Sequence, residues 1–574
     1  MTLLLKKVER PRELKWHQAG AMLYGDWGTS KAYVLGIAFA LAGHASWLFL
    51  GLMSALTALI GLCYIIICRV HPDGGGVYSS VKNRFRLLAV IGAFLLIADY
   101  VITASLSALD AFHYFNAPHP QIWAVAAILA IGALNWFGAA KSGSAAFAIA
   151  ILASASAGIL FLATLPSLPH VELTMPTSDW PKNWSVFVGI VLALSGVEAI
   201  ANMTGIMVKP VEQTSKRAIW PVLLEVSILT FLLGMAMNAI PGLQNHTEDM
   251  LRALAEHYIG PWYGVLISIA FGLLLLSAAN TAIGSLVSIQ FLMAKDKELP
   301  SIFAQLNRYG IPWLGLIVGT MAPILVLIFE HDVVHLAALY AIGVVGAITI
   351  NLGACATNFK IKLKRRERAL LFIGAAILLL IEMTIAFEKQ NALVFALIIL
   401  GTGLTLRFTA KSVIPAPMPV VPSVKVLTVF EAKEIIELYK SSSLVALKSF
   451  NARLLEEAIL RVLALGENSV YLTYVEEAPH TMELPEELEP SHKSLEVLDQ
   501  AQKKMEEKGI TAIPVWQIGD NPGRLIATAA RELGVNTVLI GTTKRSALVN
   551  LLRGDVLRTL TNSLPRECHL VISG

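Results

Sequence analysis

The sequence predicts an α-helical membrane protein of about twelve transmembrane helices, followed by a soluble α/β domain with a parallel sheet. First, 55% of the 574 residues are hydrophobic and 15% are charged, whereas a soluble domain carries about 25% charged residues. Second, the apolar residues gather in runs near the roughly 20 residues that a helix needs to cross a bilayer. Third, strand-like and helix-like segments alternate after about residue 440, which is typical of a parallel sheet covered by helices.

Twelve apolar runs occupy most of the first 410 residues. They cover about 18–41, 46–68, 86–112, 121–140, 144–165, 185–208, 217–240, 261–293, 311–330, 334–358, 368–386 and 391–408. Because twelve is even, both ends should lie on one side of the membrane. The loops on the side of the N-terminus are rich in Lys and Arg, whereas the opposite loops hold only Lys182, Arg252 and Lys389. The positive-inside rule therefore predicts cytoplasmic termini and a multi-pass protein of the cytoplasmic membrane.

The first run contains polar residues that a simple membrane anchor would avoid. It includes Gly25, Asp26, Gly28 and Lys31. The two glycines weaken a helix by about 1 kcal/mol each, and each charge costs about 3 kcal/mol at the centre of a membrane. We expect a helix broken near mid-membrane, with the acid lining a cavity as in secondary transporters. The alternative is a buried pair of Asp26 and Lys31 that holds two helices together.

The third run carries a second set of polar side chains. Tyr100, Thr103 and Ser107 are spaced by three and four residues and share one helical face, so their oxygens could bind a dehydrated cation. Hydrogen bonds between helices are the alternative explanation. Asp99 needs a partner or water at this depth.

The sixth run repeats the pattern of the first. Ser195 and Gly196 precede Glu198 in an otherwise apolar helix. Two broken helices in corresponding halves are expected from an inverted repeat of five plus five helices, with two helices added. Tyr340 in the tenth run is a weaker candidate, because a buried Tyr is usually a packing residue.

These motifs resemble those of KUP- and KimA-like potassium transporters of the amino acid–polyamine–organocation superfamily. The matching motifs lie at residues 25–30, 72–78, 99–103, 196–199, 278–281 and 339–341. The resemblance covers about residues 15–410. It implies proton-coupled potassium uptake by alternating access across the lipid bilayer, without enzymatic activity.

The resemblance also implies roles for individual residues. The residues expected around the cation path are Asp26, Tyr33, Tyr100, Thr103, Ser107, Ser195, Glu198 and Tyr340. Asp26 and Glu198 would couple transport to protons, with Asp99 and Lys31 as further candidates. Ser195 stands where such importers can have Thr, and Lys31 stands where KUP-type motifs usually have Pro. An ammonium facing the cavity would compete with potassium, and would favour a proton-coupled amino acid permease of the same fold. A membrane sensor that transports nothing is a third hypothesis.

The soluble region begins after a proline-rich tether. We divide the chain into a cytoplasmic segment (1–14), a transporter domain (15–410), a tether (411–439) and an α/β domain (440–574). Strands are predicted at 443–450, 470–475, 512–518, 537–541 and 569–573, and helices at 452–463, 495–508 and 522–533. The region resembles a universal stress protein domain. Because its tether and its altered phosphate loop suggest neither catalysis nor a membrane role, we expect the domain to be regulatory.

Nucleotide-binding members of that family hold phosphates on a glycine-rich loop. In this sequence Gly541 and Gly554 keep their positions, but Lys544 replaces the second glycine and Asp555 replaces a hydroxyl residue. A nucleotide at this loop is one hypothesis, and a homodimer surface or a site for another regulatory ligand is the favoured alternative. The net charge of +4 gives no indication of a nucleic-acid partner, and no metal is predicted beyond transported potassium.

Overall fold

The computed structural model describes residues 12, 14–138, 142–171, 173–240, 243, 246–412, 424–435, 441–477, 489–542, 545, 549–550 and 553–573. A helical part is followed by an α/β domain. The helices of the first part are α1 (Trp16–Trp27), α2 (Ser30–Ala42), α3 (Ser46–Val70), α4 (Val77–Val81), α5 (Arg86–Tyr114), α6 (Pro120–Trp136), α7 (Ser142–Thr164), α8 (Trp180–Gly189), α9 (Ala199–Asn202), α10 (Val211–Ala236), α11 (Met250–Tyr258), α12 (Pro261–Lys295), α13 (Trp313–Phe329), α14 (Val333–Thr357), α15 (Arg365–Glu388) and α16 (Gln390–Ser412).

Within the described residues, every predicted apolar run overlaps helical structure. The described part of the chain contains eight helical stretches long and apolar enough to cross a membrane, or nine if the bent pair Trp180–Gly189 and Val191–Ile206 is one span. The apolar helices α6 and α13 are shorter, with 17 residues each. These lengths agree with a multi-pass membrane protein, while the count of twelve and the inverted repeat stay predictions.

Helix α5 lies at the centre of the helical part. It packs against α12, α14, α13 and α6, and 72% of its apolar 18-residue segment is buried inside the protein. By contrast, 17% of the corresponding 18-residue segment of α16 is buried. Polar residues on α5 therefore face other helices, whereas much of α16 presents apolar side chains outward, as a helix against lipid does.

The glycine-rich loop between α3 and α4 packs against the broken sixth run. The Gly75 amide donates to the Ala201 carbonyl and to the Thr204 hydroxyl, both at 3.0 Å. A Cβ on Gly76 would lie 1.9 Å from Oδ1 of Asn202. The glycines thus allow close packing of the two backbones, and the loop supports the segment that carries Glu198.

The C-terminal domain has a five-stranded parallel sheet in the order β3-β2-β1-β4-β5. Its strands are β1 (Ser443–Leu447), β2 (Ser469–Glu477), β3 (Thr511–Gly519), β4 (Thr537–Gly541) and β5 (His569–Ser573), and its helices are α17 (Val429–Glu434), α18 (Ala452–Ala464), α19 (His492–Glu506), α20 (Pro522–Glu532) and α21 (Val556–Ser563). Leu427 pairs with β3 through backbone bonds to Pro514 and Trp516, both of 2.9 Å. The predicted parallel sheet is confirmed, and part of the predicted tether lies along its edge.

Candidate functional site

The first break lies between α1 and α2, at Gly28 and Thr29. The Thr29 hydroxyl donates to the Asp26 carbonyl at 2.5 Å, and the Ser30 hydroxyl donates to the Trp27 carbonyl at 2.7 Å. These hydroxyls bind carbonyl groups at the interruption, as membrane helices require. A Cβ on Gly28 would lie 2.5 Å from the Tyr24 carbonyl oxygen, so the break depends on glycine.

The second break lies between α8 and α9 and packs directly on the first break. Gly196 has a φ of +88°, and a Cβ there would lie 2.6 Å from the Trp27 amide and 2.9 Å from Cβ of Asp26. A positive φ and so close a contact both exclude larger residues. The broken first and sixth runs therefore cross at their breaks, which brings Asp26 and Glu198 to the same region.

Three acids from distant parts of the chain meet at this crossing. Asp26 interacts electrostatically with Glu198, and Asp99 interacts with both. Asp99 is 1% exposed and Glu198 is 6% exposed. Within the described residues, Oδ1 of Asp26, both carboxylate oxygens of Asp99 and Oε2 of Glu198 are buried without a hydrogen-bond partner. Such groups at membrane depth require a proton, a cation or water.

Two tyrosines and a threonine lie beside the acids. Tyr340 interacts electrostatically with Asp99, Tyr33 and Glu198. The backbones of α14 and α5 approach closely at this level, because a Cβ on Gly343 would lie 2.8 Å from the Asp99 amide. Thr103 donates to the Asp99 carbonyl at 2.9 Å, and Ser107, one turn further on, is buried.

The remaining two predicted path residues have less direct positions. The Tyr100 hydroxyl accepts a hydrogen bond from Nδ2 of Asn202 at 2.8 Å, so this tyrosine links α5 to the end of α9. Ser195 is buried at the second break, just before Gly196. Their part in binding stays a prediction.

Lys31 faces away from the acid cluster. Its Nζ lies 2.8 and 2.7 Å from the two carboxylate oxygens of Glu225 on α10, and 3.0 Å from the Tyr24 hydroxyl. The ammonium is fully buried and lies 4.7 Å from the centre of the Tyr24 ring. The alternative in which Lys31 pairs with Asp26 is therefore wrong, because Glu225 provides its counter-charge.

Sequence reasoning missed Glu225 and Asp110. Glu225 lies in the seventh apolar run and Asp110 in the third, and Asp110 is fully buried. The signal that identified Asp26 and Asp99, an ionisable residue inside an apolar run, applies equally to these two.

The predicted phosphate loop of the C-terminal domain is altered by Asp555. This carboxylate accepts hydrogen bonds from the Leu557 and Arg558 amides, at 2.9 and 3.2 Å. It thus occupies the start of α21, where a phosphate would need free amides. Gly541 ends β4 and Gly554 has a φ of +83°, while Lys544 lies outside the described residues. A nucleotide does not fit here in the usual manner unless Asp555 is displaced.

Comparison with known proteins identifies the family. Residues 14–426 match the family described as amino acid permease. The chain belongs to the amino acid permease family. Residues 444–571 of this permease match the universal stress protein family, which agrees with the parallel sheet of the second domain.

Three relatives show what this permease is similar to. It is 26% identical over 432 residues to the potassium transporter KimA of Bacillus subtilis. The aligned region covers 69% of this chain and 70% of KimA. It is 24% identical over 311 residues to the polyamine transporter RMV1 of Arabidopsis thaliana, covering 50% and 62% of the two chains. An uncharacterised protein of Methanocaldococcus jannaschii is 27% identical over 228 residues, or 37% of this chain and 51% of that protein.

The second domain also has a solved structural relative. A universal stress protein of Archaeoglobus fulgidus aligns over 23% of this chain and 97% of its own length, with 19% identity and a TM-score of 0.19.

Proposed function

We propose that this permease is a proton-coupled potassium importer of the cytoplasmic membrane, working by alternating access with both termini in the cytoplasm. The observation that supports this most strongly is the meeting of Asp26, Asp99 and Glu198 where two broken helices cross. Discontinuous helices near mid-membrane are where secondary transporters bind substrate and coupling ions.

The chemistry of the site favours a dehydrated monovalent cation. The site contains the oxygens of Tyr33, Tyr340 and Thr103 in addition to the carboxylates. Such oxygen ligands can replace the hydration shell of potassium. The positive charge of Lys31 is paired with Glu225 and does not compete for the acids. The identity with KimA supports potassium as the ion.

Proton coupling is inferred from the same acids. A carboxylate held in a poorly solvated place is stable with a proton or with a cation beside it. If Asp26 or Glu198 loses a proton when potassium binds and regains one when potassium leaves, the movement of protons is coupled to the movement of potassium. Asp99 is a further group that could carry a proton in this cycle.

An amino acid or a related organic cation is the second candidate substrate. The family description and the similarity to a polyamine transporter favour it. An ammonium group of such a substrate could bind the same acids, while its carboxylate could face the N-terminus of α2 at Ser30, where a helix attracts negative charge.

Uptake by the full-length protein in proteoliposomes tests these alternatives. We expect uptake of radioactive rubidium driven by a proton gradient, with inhibition by excess potassium and none by a mixture of amino acids. Rescue of a potassium-uptake-deficient bacterium at low external potassium would agree. Amino acid uptake without rubidium uptake would favour the second substrate, and no net uptake of either would favour the sensor hypothesis.

The C-terminal domain is proposed to regulate transport. Nη1 of Arg553 donates to the Tyr309 carbonyl at 2.9 Å, and Tyr309 lies in the connection between α12 and α13. Arg553 also contacts Glu477 at 3.1 Å. A ligand or a second copy of the chain bound near Arg553 could thus alter a contact with the membrane domain. A nucleotide regulator and a homodimer both stay predictions.

A further inference from the structure

A dense group of basic side chains lies in the connection between α14 and α15, on the side of the helical part that is predicted to face the cytoplasm. Five of the seven residues from Lys360 to Arg366 are Lys or Arg. All five are exposed, and within the described residues none of them forms an ion pair. The neighbouring acid Glu367 is already engaged, because its Oε2 lies 2.8 Å from both Nη2 of Arg69 and the Lys364 amide nitrogen. The connection therefore carries positive charge that the described residues do not neutralise.

The two arginines of this group begin a helix whose outer face is apolar. Arg365 and Phe372 are seven residues apart on α15, as are Arg366 and Ile373, and residues with this spacing share a helical face. Phe372 is 61% exposed and Ile373 is 50% exposed, as expected of side chains that face lipid tails. The arginines lie about 10 Å away along the helix axis, at the level where lipid headgroups begin.

Exposed aromatic rings accompany the charges. Phe359 is 84% exposed, although Cζ of Arg368 lies 4.5 Å from the centre of its ring. Phe85, just before α5, is also exposed. Nη1 of the adjacent Arg84 donates to the Thr357 hydroxyl at the end of α14, at 3.1 Å, so the connections before α5 and after α14 form one surface. Apolar rings between basic side chains are typical of segments that lie in the interface of a membrane.

A polar cavity opens between the same two connections. Its volume is about 710 Å³, within the range of roughly 300–1,000 Å³ that is usual for ligand sites. The side chains that line it include the donors Arg84, Lys360 and Asn83. The acid Asp73 also lines the cavity, but it forms an ion pair with Arg12. The cavity is therefore suited to an anionic group with several oxygen acceptors, such as a phosphate.

We propose that Arg84, Phe85 and the segment 359–366 form a binding surface for an anionic phospholipid, whose phosphate group binds in the cavity beside Lys360. We call this the basic surface. A cluster of about four to eight Lys or Arg beside a membrane helix is typical of sites for anionic lipid headgroups. The apolar face of α15 favours a lipid over a soluble phosphate compound, because it provides a place for the acyl chains. That the basic surface meets the cytoplasmic leaflet rests on the proposed function and its orientation.

Native mass spectrometry of the purified full-length protein in detergent tests the basic surface. We expect phosphatidylglycerol to bind about tenfold more tightly than phosphatidylcholine with the same acyl chains, because only phosphatidylglycerol carries a net negative charge. The double variant Arg365→Gln, Arg366→Gln should lose this preference, whereas Arg365→Lys, Arg366→Lys keeps both charges and should retain it. Equal affinity of the unmodified protein for the two lipids would overturn the proposal.

The matched control removes two basic residues from another membrane helix on the same predicted side. Lys216 and Arg217 are adjacent and exposed near the start of α10, and the double variant Lys216→Gln, Arg217→Gln should keep the preference for phosphatidylglycerol. An equal loss of preference in both Gln double variants would show a general effect of charge and overturn the site.

A second pair of positions covers the case in which Arg365→Gln, Arg366→Gln fails to insert. Lys360→Gln, Lys362→Gln then decides by the same measurement, because these two exposed side chains lie outside the helices. This pair should lose the preference as well, and an unchanged preference would overturn the proposal.

Competition with glycerophosphoglycerol, the headgroup without acyl chains, separates a lipid from a soluble ligand. We expect it to displace little phosphatidylglycerol, because it cannot contact Phe372 and Ile373. Binding as tight as that of the lipid would assign the cavity to a soluble phosphate compound and overturn the lipid surface. Because binding is measured without transport, lipid preference with no rubidium uptake would reject potassium import alone. Rubidium uptake with no lipid preference would reject the basic surface alone.

Discussion

Asp26 and Glu198 are the residues on which proton coupling is predicted to depend. Replacing either by its amide, Asp26→Asn or Glu198→Gln, keeps the shape but removes the change of charge that coupling requires. We expect each variant to insert normally and to lose proton-driven uptake. The measurement is rubidium uptake in proteoliposomes at several external pH values. The control is Glu388→Gln, because Glu388 ends α15 and the amide oxygen of Gln can still accept the hydrogen bond from the Ser185 hydroxyl. Near-normal uptake and pH dependence in both variants would exclude these acids as coupling groups.

Removing the charge of Lys31 and removing the charge of Glu225 are expected to have unequal effects on the stability of the protein. Lys31→Met leaves Glu225 with 17% of its side chain exposed and with the Tyr24 hydroxyl still donating at 3.0 Å. Glu225→Gln leaves a fully buried ammonium without a counter-charge, which costs about 3 kcal/mol or more.

We therefore predict that Lys31→Met keeps rubidium uptake within a fewfold of normal, whereas Glu225→Gln lowers the thermal stability markedly. The double variant should be more stable than Glu225→Gln alone. If Lys31→Met abolished both uptake and its pH dependence, Lys31 would be the coupling group and the amino acid alternative would gain support.

At the scale of elements, the crossing of the two broken helices depends on one glycine. Gly196→Ala would place a methyl group 2.6 Å from the Trp27 amide, at a φ of +88°. We expect it to lower stability by about 1–3 kcal/mol and to abolish uptake, because the acids lose their relative positions. Gly25 provides the matched control, since a Cβ there meets no atom of the described structure within 4 Å.

Gly25→Ala should leave the protein unchanged or stabilise it by up to about 1 kcal/mol, the helix preference of Ala over Gly. Thermal unfolding and uptake of the two variants should be measured side by side. Equal effects of both substitutions would contradict the importance of the crossing.

At the scale of the whole molecule, Glu477 organises the edge of the C-terminal domain that faces the membrane domain. Its carboxylate lies 2.6 Å from Arg545 and 3.1 Å from both Arg553 and Lys448. Burial alone would raise the pKa of Glu477, but these three cations outweigh it and hold the pKa below its ordinary value of 4.5. Glu477 therefore stabilises the domain above pH 4.5, and this contribution disappears as the pH falls through the lowered pKa.

Urea unfolding of residues 424–574 should reveal this contribution. At pH 7 Glu477→Gln is expected to be less stable by about 3 kcal/mol, because it leaves partly buried cations without a counter-charge. The difference should shrink as the pH is lowered below 4.5, since protonation neutralises Glu477 in the unmodified domain too. A difference that is independent of pH would show that charge pairing is not its cause.

Much of the architecture follows from the sequence because it rests on local patterns. The apolar runs are long enough to form membrane helices, and the alternation after residue 440 determines a parallel sheet. Gly28 and Gly196 mark both breaks, since glycine weakens a helix wherever it stands. The acids Asp26, Asp99 and Glu198 were recognisable because charge is costly inside an apolar run.

Only the tertiary structure decided which side chains meet. Lys31 is 194 residues away from Glu225, and no local pattern indicates that the two bind each other or that the ammonium leaves Asp26. The approach of the loop at Thr247 to α2 likewise depends on how distant helices pack. The physical reason is that the free-energy cost of burying an ionisable residue depends on the apolar run in which it lies. The residue that provides its counter-charge depends on the three-dimensional packing of the helices.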